Sequence, residues 1–104
     1  MGKRIGSTDD QADVHVEADL VAVGDATAWV EVNGTFNVAV TGAGTAQVDA
    51  SFDAGATAIP CGALGTAVVL NAPVREEMVS RERGVLHRVR KVSGGGTMHA
   101  RISQ

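Results

Sequence analysis

The side chains that could carry chemistry in this sequence are few, and their spacing joins none of them into a reactive group. His15, His87 and His99 fall on different strands or faces of the alternating pattern described below. His87 is expected to point inward and His99 outward, so the two cannot converge on one metal ion as ligands must. Asp9, Asp10 and Asp13 lack the spacing and central glycine of an EF-hand loop. Cys61, the single cysteine, has no neighbouring base and faces the expected core, where it should behave as a small hydrophobe. Ser51 and Ser80 sit in nothing like a nucleophile elbow. There is neither a P-loop nor a dinucleotide-binding fingerprint. The expectation is a protein that is not an enzyme, with no catalytic residue, no metal site and no cofactor.

One local pattern has a defined geometry. Ser51-Phe52-Asp53-Ala54-Gly55-Ala56-Thr57 matches S-x-D-x-G-x-T, the Asp-box turn found between strands in sialidases and other β proteins, with Ala58 where an aromatic usually follows. In such a turn the aspartate ties down backbone amides and the glycine supplies a positive φ. The role is structural. A propeller would repeat the pattern every ~40 residues, and it occurs once here, so a glycosidase is not indicated. With no tyrosine and one tryptophan, the chain also lacks the aromatic platforms usual in sugar-binding modules.

The elements that must position these residues read as strands. Val14, Val16, Ala18 and Leu20 alternate with polar residues, which is the period of a half-buried strand. Ala28, Val30, Val32, Gly34, Phe36, Val38 and Val40 share one phase, read as a long strand bent or bulged at Asn33-Gly34. A tight turn at Gly42-Ala43-Gly44 would pair Val40 with Ala46, Val38 with Val48 and Phe36 with Ala50 in a hairpin. A second turn at 53–56 sets Ala50 opposite Ile59 and Val48 opposite Cys61. Phe36 and Phe52 are then expected as the largest core anchors of a three-stranded unit. A short strand around Ala67 to Leu70 ends at Pro73, and the charged stretch Arg75 to Arg83 reads as a solvated connection between sheets. A last hairpin turning at Gly94-Gly95 would pair Val89 with Ala100, Lys91 with Met98 and His87 with Ile102.

Thirteen glycines and only three aromatics favour turns and strands around an aliphatic core. One domain of 104 residues can bury such a core. The fold class expected is all-β: an antiparallel β-sandwich of about seven to eight strands in an Ig-like or Greek-key style. Residues 1–12 are expected to form an extended polar N-terminal arm and residues 13–104 the sandwich domain. A net charge of −3 argues against nonspecific nucleic-acid binding. No run approaches the ~20 apolar residues of a membrane helix, and one cysteine permits no internal disulfide, as suits synthesis in the cytoplasm.

Candidate partner-binding residues are Lys3 and Arg4 in the arm, Trp29, and the last hairpin's Arg88, Arg90, His99 and Arg101. Trp29 is out of phase with Val30 and Val32, so it is either exposed, as a contact hot spot would be, or packed at a rim. In the hairpin register Arg88 lies opposite Arg101 and Arg90 opposite His99. Like charges across strands are destabilising, so this face calls for an acidic partner within the chain or on another protein. The arm reads as a frayed tail or as a segment that orders against a neighbouring subunit.

The segments Trp29-Val30-Glu31-Val32-Asn33-Gly34-Thr35-Phe36-Asn37-Val38, Ser51-Phe52-Asp53-x-Gly55-x-Thr57 and Gly84-Val85-Leu86-His87-Arg88-Val89-Arg90 together resemble small all-β virion structural proteins of tailed bacteriophages and gene-transfer agents. The resemblance covers about residues 28 to 104. Ala58 and His87 depart from it, standing where an aromatic and a tyrosine are expected. It implies a non-enzymatic capsid decoration or cement protein on the outside of a phage head. A head–tail or fibre adaptor and a carbohydrate-binding module are the alternatives. The implied partners are the major capsid protein or other virion proteins, with a homo-oligomer or multi-copy assembly, no nucleic acid and no membrane. The implied location is the virion, after synthesis in the host cytoplasm.

Overall fold

The apolar alternation is realised as strands packed face to face. The structure, a computed structural model, describes residues 14–63, 66–67 and 69–104. In chain order the strands are β1 (Val14–Leu20), β2 (Val30–Glu31), β3 (Gly34–Gly42), β4 (Thr45–Ser51), β5 (Ile59–Pro60), β6 (Gly62–Ala63), β7 (Thr66–Ala67), β8 (Val69–Asn71), β9 (Val74–Ser80), β10 (Leu86–Ser93) and β11 (Met98–Ser103). No helix occurs among the described residues.

Two antiparallel sheets form the sandwich. One has the order β9-β3-β11-β1; the other has β2-β10-β4-β5, with β8 pairing β4 beside β5. β6 and β7 make a separate two-stranded ladder. Taking β5 and β8 as one interrupted edge gives eight strands in the two sheets, and renumbered one to eight along the chain they run in the orders 1-8-3-6 and 2-7-4-5. That is the double Greek key of a jelly roll. The all-β sandwich and its Greek-key connectivity are as expected, and the path is specifically the jelly-roll one.

The core lies between the sheets. Phe36, Val38, Val40, Met98, Ala100 and Ile102 from one sheet meet Ala46, Val48, Val89 and Leu70 from the other, all at most 4 % exposed. Each fully buried Val, Leu, Ile, Met or Phe side chain contributes about 1.5–3 kcal/mol. His87 also points inward, as expected, with its ring 5.0 Å from that of Phe36.

Two expected hairpins are instead arches. β3 and β4 lie in opposite sheets, as do β10 and β11, so Val40 pairs with Ala100 and Val74, and Val89 with Val48. The alternation is the same either way, because an arch also turns both apolar faces toward one interior. Close approach of the arches requires glycine. A Cβ on Gly44 would strike the Ser93 carbonyl oxygen, and one on Gly94 would lie 2.6 Å from the Gly44 Cα, with φ of 103° and 105° at the two positions. Lys91, fully buried at the same end, donates from Nζ to the carbonyls of Val21, at 2.8 Å, and Gly96.

Three further expectations are corrected. The strand read as continuous from Ala28 to Val40 changes sheets at Val32-Asn33, with β2 in one and β3 in the other. The charged stretch after Pro73 is strand β9, registered Val74↔Val40, Glu76↔Val38 and Met78↔Phe36. It is an edge strand, where charge guards against unwanted pairing, and that disguised its alternation. Phe52 is 59 % exposed, because the Asp-box turn rotates it out of the core. The turn itself holds: Ala50 pairs with Ile59, and the Cys61 amide donates to the Val48 carbonyl at 2.8 Å.

Candidate functional site

The sandwich divides the expected contact residues between its two outer faces. Arg88 and Arg90 alternate with inward His87, Val89 and Lys91 on β10 and so project from the five-stranded sheet. His99 and Arg101 alternate with inward Met98, Ala100 and Ile102 on β11 and project from the four-stranded sheet. A single face with Arg88 opposite Arg101 and Arg90 opposite His99 is therefore not formed. Lys3 and Arg4 lie outside the described residues, as do Asp9, Asp10 and Asp13.

On the five-stranded sheet, Asp49 supplies the anion that the arginines require. It is directly across from Arg88 and diagonal to Arg90. Its carboxylate accepts from Arg88 Nε at 3.1 Å, from Arg90 Nε at 2.9 Å and from Arg90 Nη2 at 3.3 Å. The Asp49 side chain is 1 % exposed, while those of Arg88 and Arg90 keep 24 % and 31 %. The bond to Asp49 holds the Arg90 guanidinium above its ordinary pKa. Two cations on one anion leave a net positive charge facing solvent.

Trp29 joins this cluster to the Asp-box. The Arg88 guanidinium lies 4.5 Å from the centre of its ring, in cation–π reach. A Cβ at Gly55 would approach Trp29 Cδ1 and Nε1 to 3.0 Å, so glycine is needed both for that contact and for its φ of 93°. Ser51 Oγ donates to Asp53 Oδ1 at 2.8 Å and accepts from the Gly55 amide at 2.8 Å. Asp53 Oδ1 also accepts from the Thr57 amide at 2.8 Å. Bonds from Thr57 and then Ser51 keep the Asp53 carboxyl below its usual range. The result is a fixed loop presenting Phe52, with Ile59 also exposed just beyond it.

The opposite face carries a different device. His99 Nδ1 lies 2.8 Å from Asp19 Oδ1 and Nε2 lies 2.8 Å from Glu17 Oε1, both on the edge strand β1. Those bonds, Asp19 foremost, raise the His99 pKa. Arg101 stands exposed between Glu17 and Ala39. Cys61 is half-buried and packs against the core, and burial pushes its thiol pKa up. Among the described residues no three His, Cys, Asp or Glu side chains gather to hold a metal ion.

Sequence reasoning missed Asp49 and misplaced Phe52. The signal for Asp49 was its outward phase between Val48 and Ala50, but only the true strand partners show which arginines it meets. No family model, no curated protein and no solved structure matches the chain.

Proposed function

We propose that this chain is a non-enzymatic structural protein that binds other proteins in many copies, as a decoration or cement subunit on the outer surface of a phage-type head. The observation that carries this reading is the Asp-box loop. It spends its polar groups on its own backbone, presents Phe52, 59 % exposed, and meets through Gly55 the Trp29 ring that carries Arg88. A loop already held by its own hydrogen bonds loses little backbone freedom on docking, and aromatic and arginine residues dominate protein contacts. The resemblance to virion proteins and the jelly-roll path, which recurs in capsid domains, support a shell as the partner. Fold alone would not.

Weak contacts repeated over a symmetric shell add up, so chemistry is unnecessary for this role. Trp29 has one face under Arg88 and its edge against Gly55, which makes it a poor open platform for a sugar ring. The test is binding to preformed shells. Phe52→Ser should leave the melting temperature within a few degrees and weaken shell binding at least about tenfold, the equivalent of 1.4 kcal/mol. Unchanged binding by a folded Phe52→Ser variant would remove the loop from the contact.

A further inference from the structure

Among the described residues, the jelly roll is open along one side. There β9 ends the four-stranded sheet, and the facing edge of the other sheet is broken between β5 and β8. A cavity of about 200 Å³ opens at this break, floored by Val48, Cys61, Leu70 and Met78 and flanked by Glu76 and Glu77. Beside it runs the edge of β9, seven residues long, which pairs with no other strand among the described residues. An apolar floor, an acidic rim and a free strand edge suit an extended segment with a basic and apolar sequence, docked by strand addition.

The chain contains such a segment in Gly2-Lys3-Arg4-Ile5-Gly6. In an extended strand Lys3 and Ile5 share one face and Arg4 takes the other. On β9, Glu76 and Met78 share the core-facing side, registered on Val38 and Phe36, while Glu77 takes the outer side. The two alternations match in charge and in polarity.

We propose that this groove receives residues 2–6 of a second copy of the chain, linking copies head to tail. The segment precedes Val14, which is on β1 at the edge of the sheet opposite β9. Val14, Ser103, Asn37 and Glu77 are aligned in one row across the sheet. To fill its own groove the segment must cross three strand spacings, ~14 Å, and then turn in from outside. To fill a neighbour's groove it continues away from the edge it leaves, and the ten residues from Arg4 to Val14 span up to ~33–36 Å. Unlike surfaces on opposite edges make a heterologous contact, which propagates into a ring or an array. The contact belongs to the isolated protein and stands or falls separately from shell binding.

Sedimentation of the 104-residue chain tests it. The wild type should self-associate with rising concentration, less so at high salt. Lys3→Glu/Arg4→Glu and Glu76→Lys/Glu77→Lys should each weaken association at least about tenfold, with unchanged melting. Mixing the two variants should restore association as alternating 1:1 assemblies, because the acidic arm of the first fits the basic groove of the second and the basic arm of the second fits the acidic groove of the first. Combining all four substitutions in one chain should restore self-association. A wild type that stays monomeric, or a mixture that does not co-assemble, overturns the proposal, and so does association untouched by either reversal.

Discussion

Replacing Asp49 with alanine should expose how far the outer face of the five-stranded sheet depends on one buried anion. The carboxylate is 1 % exposed and bonded to two guanidiniums at 3.1 and 2.9 Å. Its removal leaves Arg88 and Arg90 on neighbouring outward positions with no counter-charge between them. Breaking a fully buried pair costs about 3–5 kcal/mol. Here the arginines retain 24 % and 31 % exposure and can turn toward water, so the smaller figure of about 2–3 kcal/mol is expected. For a domain of this size 1 kcal/mol moves the melting temperature by roughly 4–8 °C, which puts the loss at roughly 10–20 °C. Asp49→Asn should lose nearly as much, because it keeps an acceptor and not the charge. Adding Arg90→Met to Asp49→Ala should recover part of the loss, since the second cation is then gone. Thermal unfolding by circular dichroism, with urea titration as a check, measures all three. Melting of Asp49→Ala within about 2 °C of wild type would refute the reasoning, since it corresponds to less than ~0.5 kcal/mol.

The arches and the histidines give two further expectations. Gly94→Ala places a methyl group 2.6 Å from the Gly44 Cα at a φ of 105°, and should cost about 2–4 kcal/mol by urea unfolding; Gly95→Ala, with nothing within 4 Å of the added Cβ, should be near neutral. Hydrogen bonds to Asp19 and then Glu17 raise the His99 pKa. Its stabilising contribution is therefore complete below the unfolded value of ~6.5 and lost as pH rises through the higher folded value. Burial lowers the His87 pKa, so the unfolded chain protonates first and stability falls as pH drops below ~6.5 toward the folded value. Melting temperature against pH should thus decline on both sides, with His99→Gln flattening the alkaline limb and His87→Phe the acid one.

Much of the sandwich was legible in the sequence, residue by residue. The phase of Phe36, Val38 and Val40 gave the inner face of β3, and the Asp-box gave the register of Ala50 on Ile59 and the turn amides bonded by Asp53. The inward His87 and outward His99 followed from the same period. What alternation cannot do is tell a hairpin from an arch. In a hairpin Val40 and Ala46 would lie side by side, in an arch they face each other across the core, and the pattern is identical. One clue lay in the charges, because the hairpin register set Arg88 against Arg101, a repulsion that the arch removes by sending them to opposite faces. Strand β9 was hidden because an edge strand tolerates the charges of Arg75, Glu76 and Glu77. The site was legible in its parts, Trp29, Arg88 and Arg90, but its centre at Asp49 depended on pairing between strands far apart in sequence.

The most direct test of the proposed role is the number and distribution of copies on assembled particles, measured by quantitative mass spectrometry together with a density map. Copies spread over the whole shell in fixed proportion to its subunits, with the Phe52 loop at the contact, are the expected result. A single ring of copies at one vertex, or particles that carry none and resist heat equally well, would contradict it.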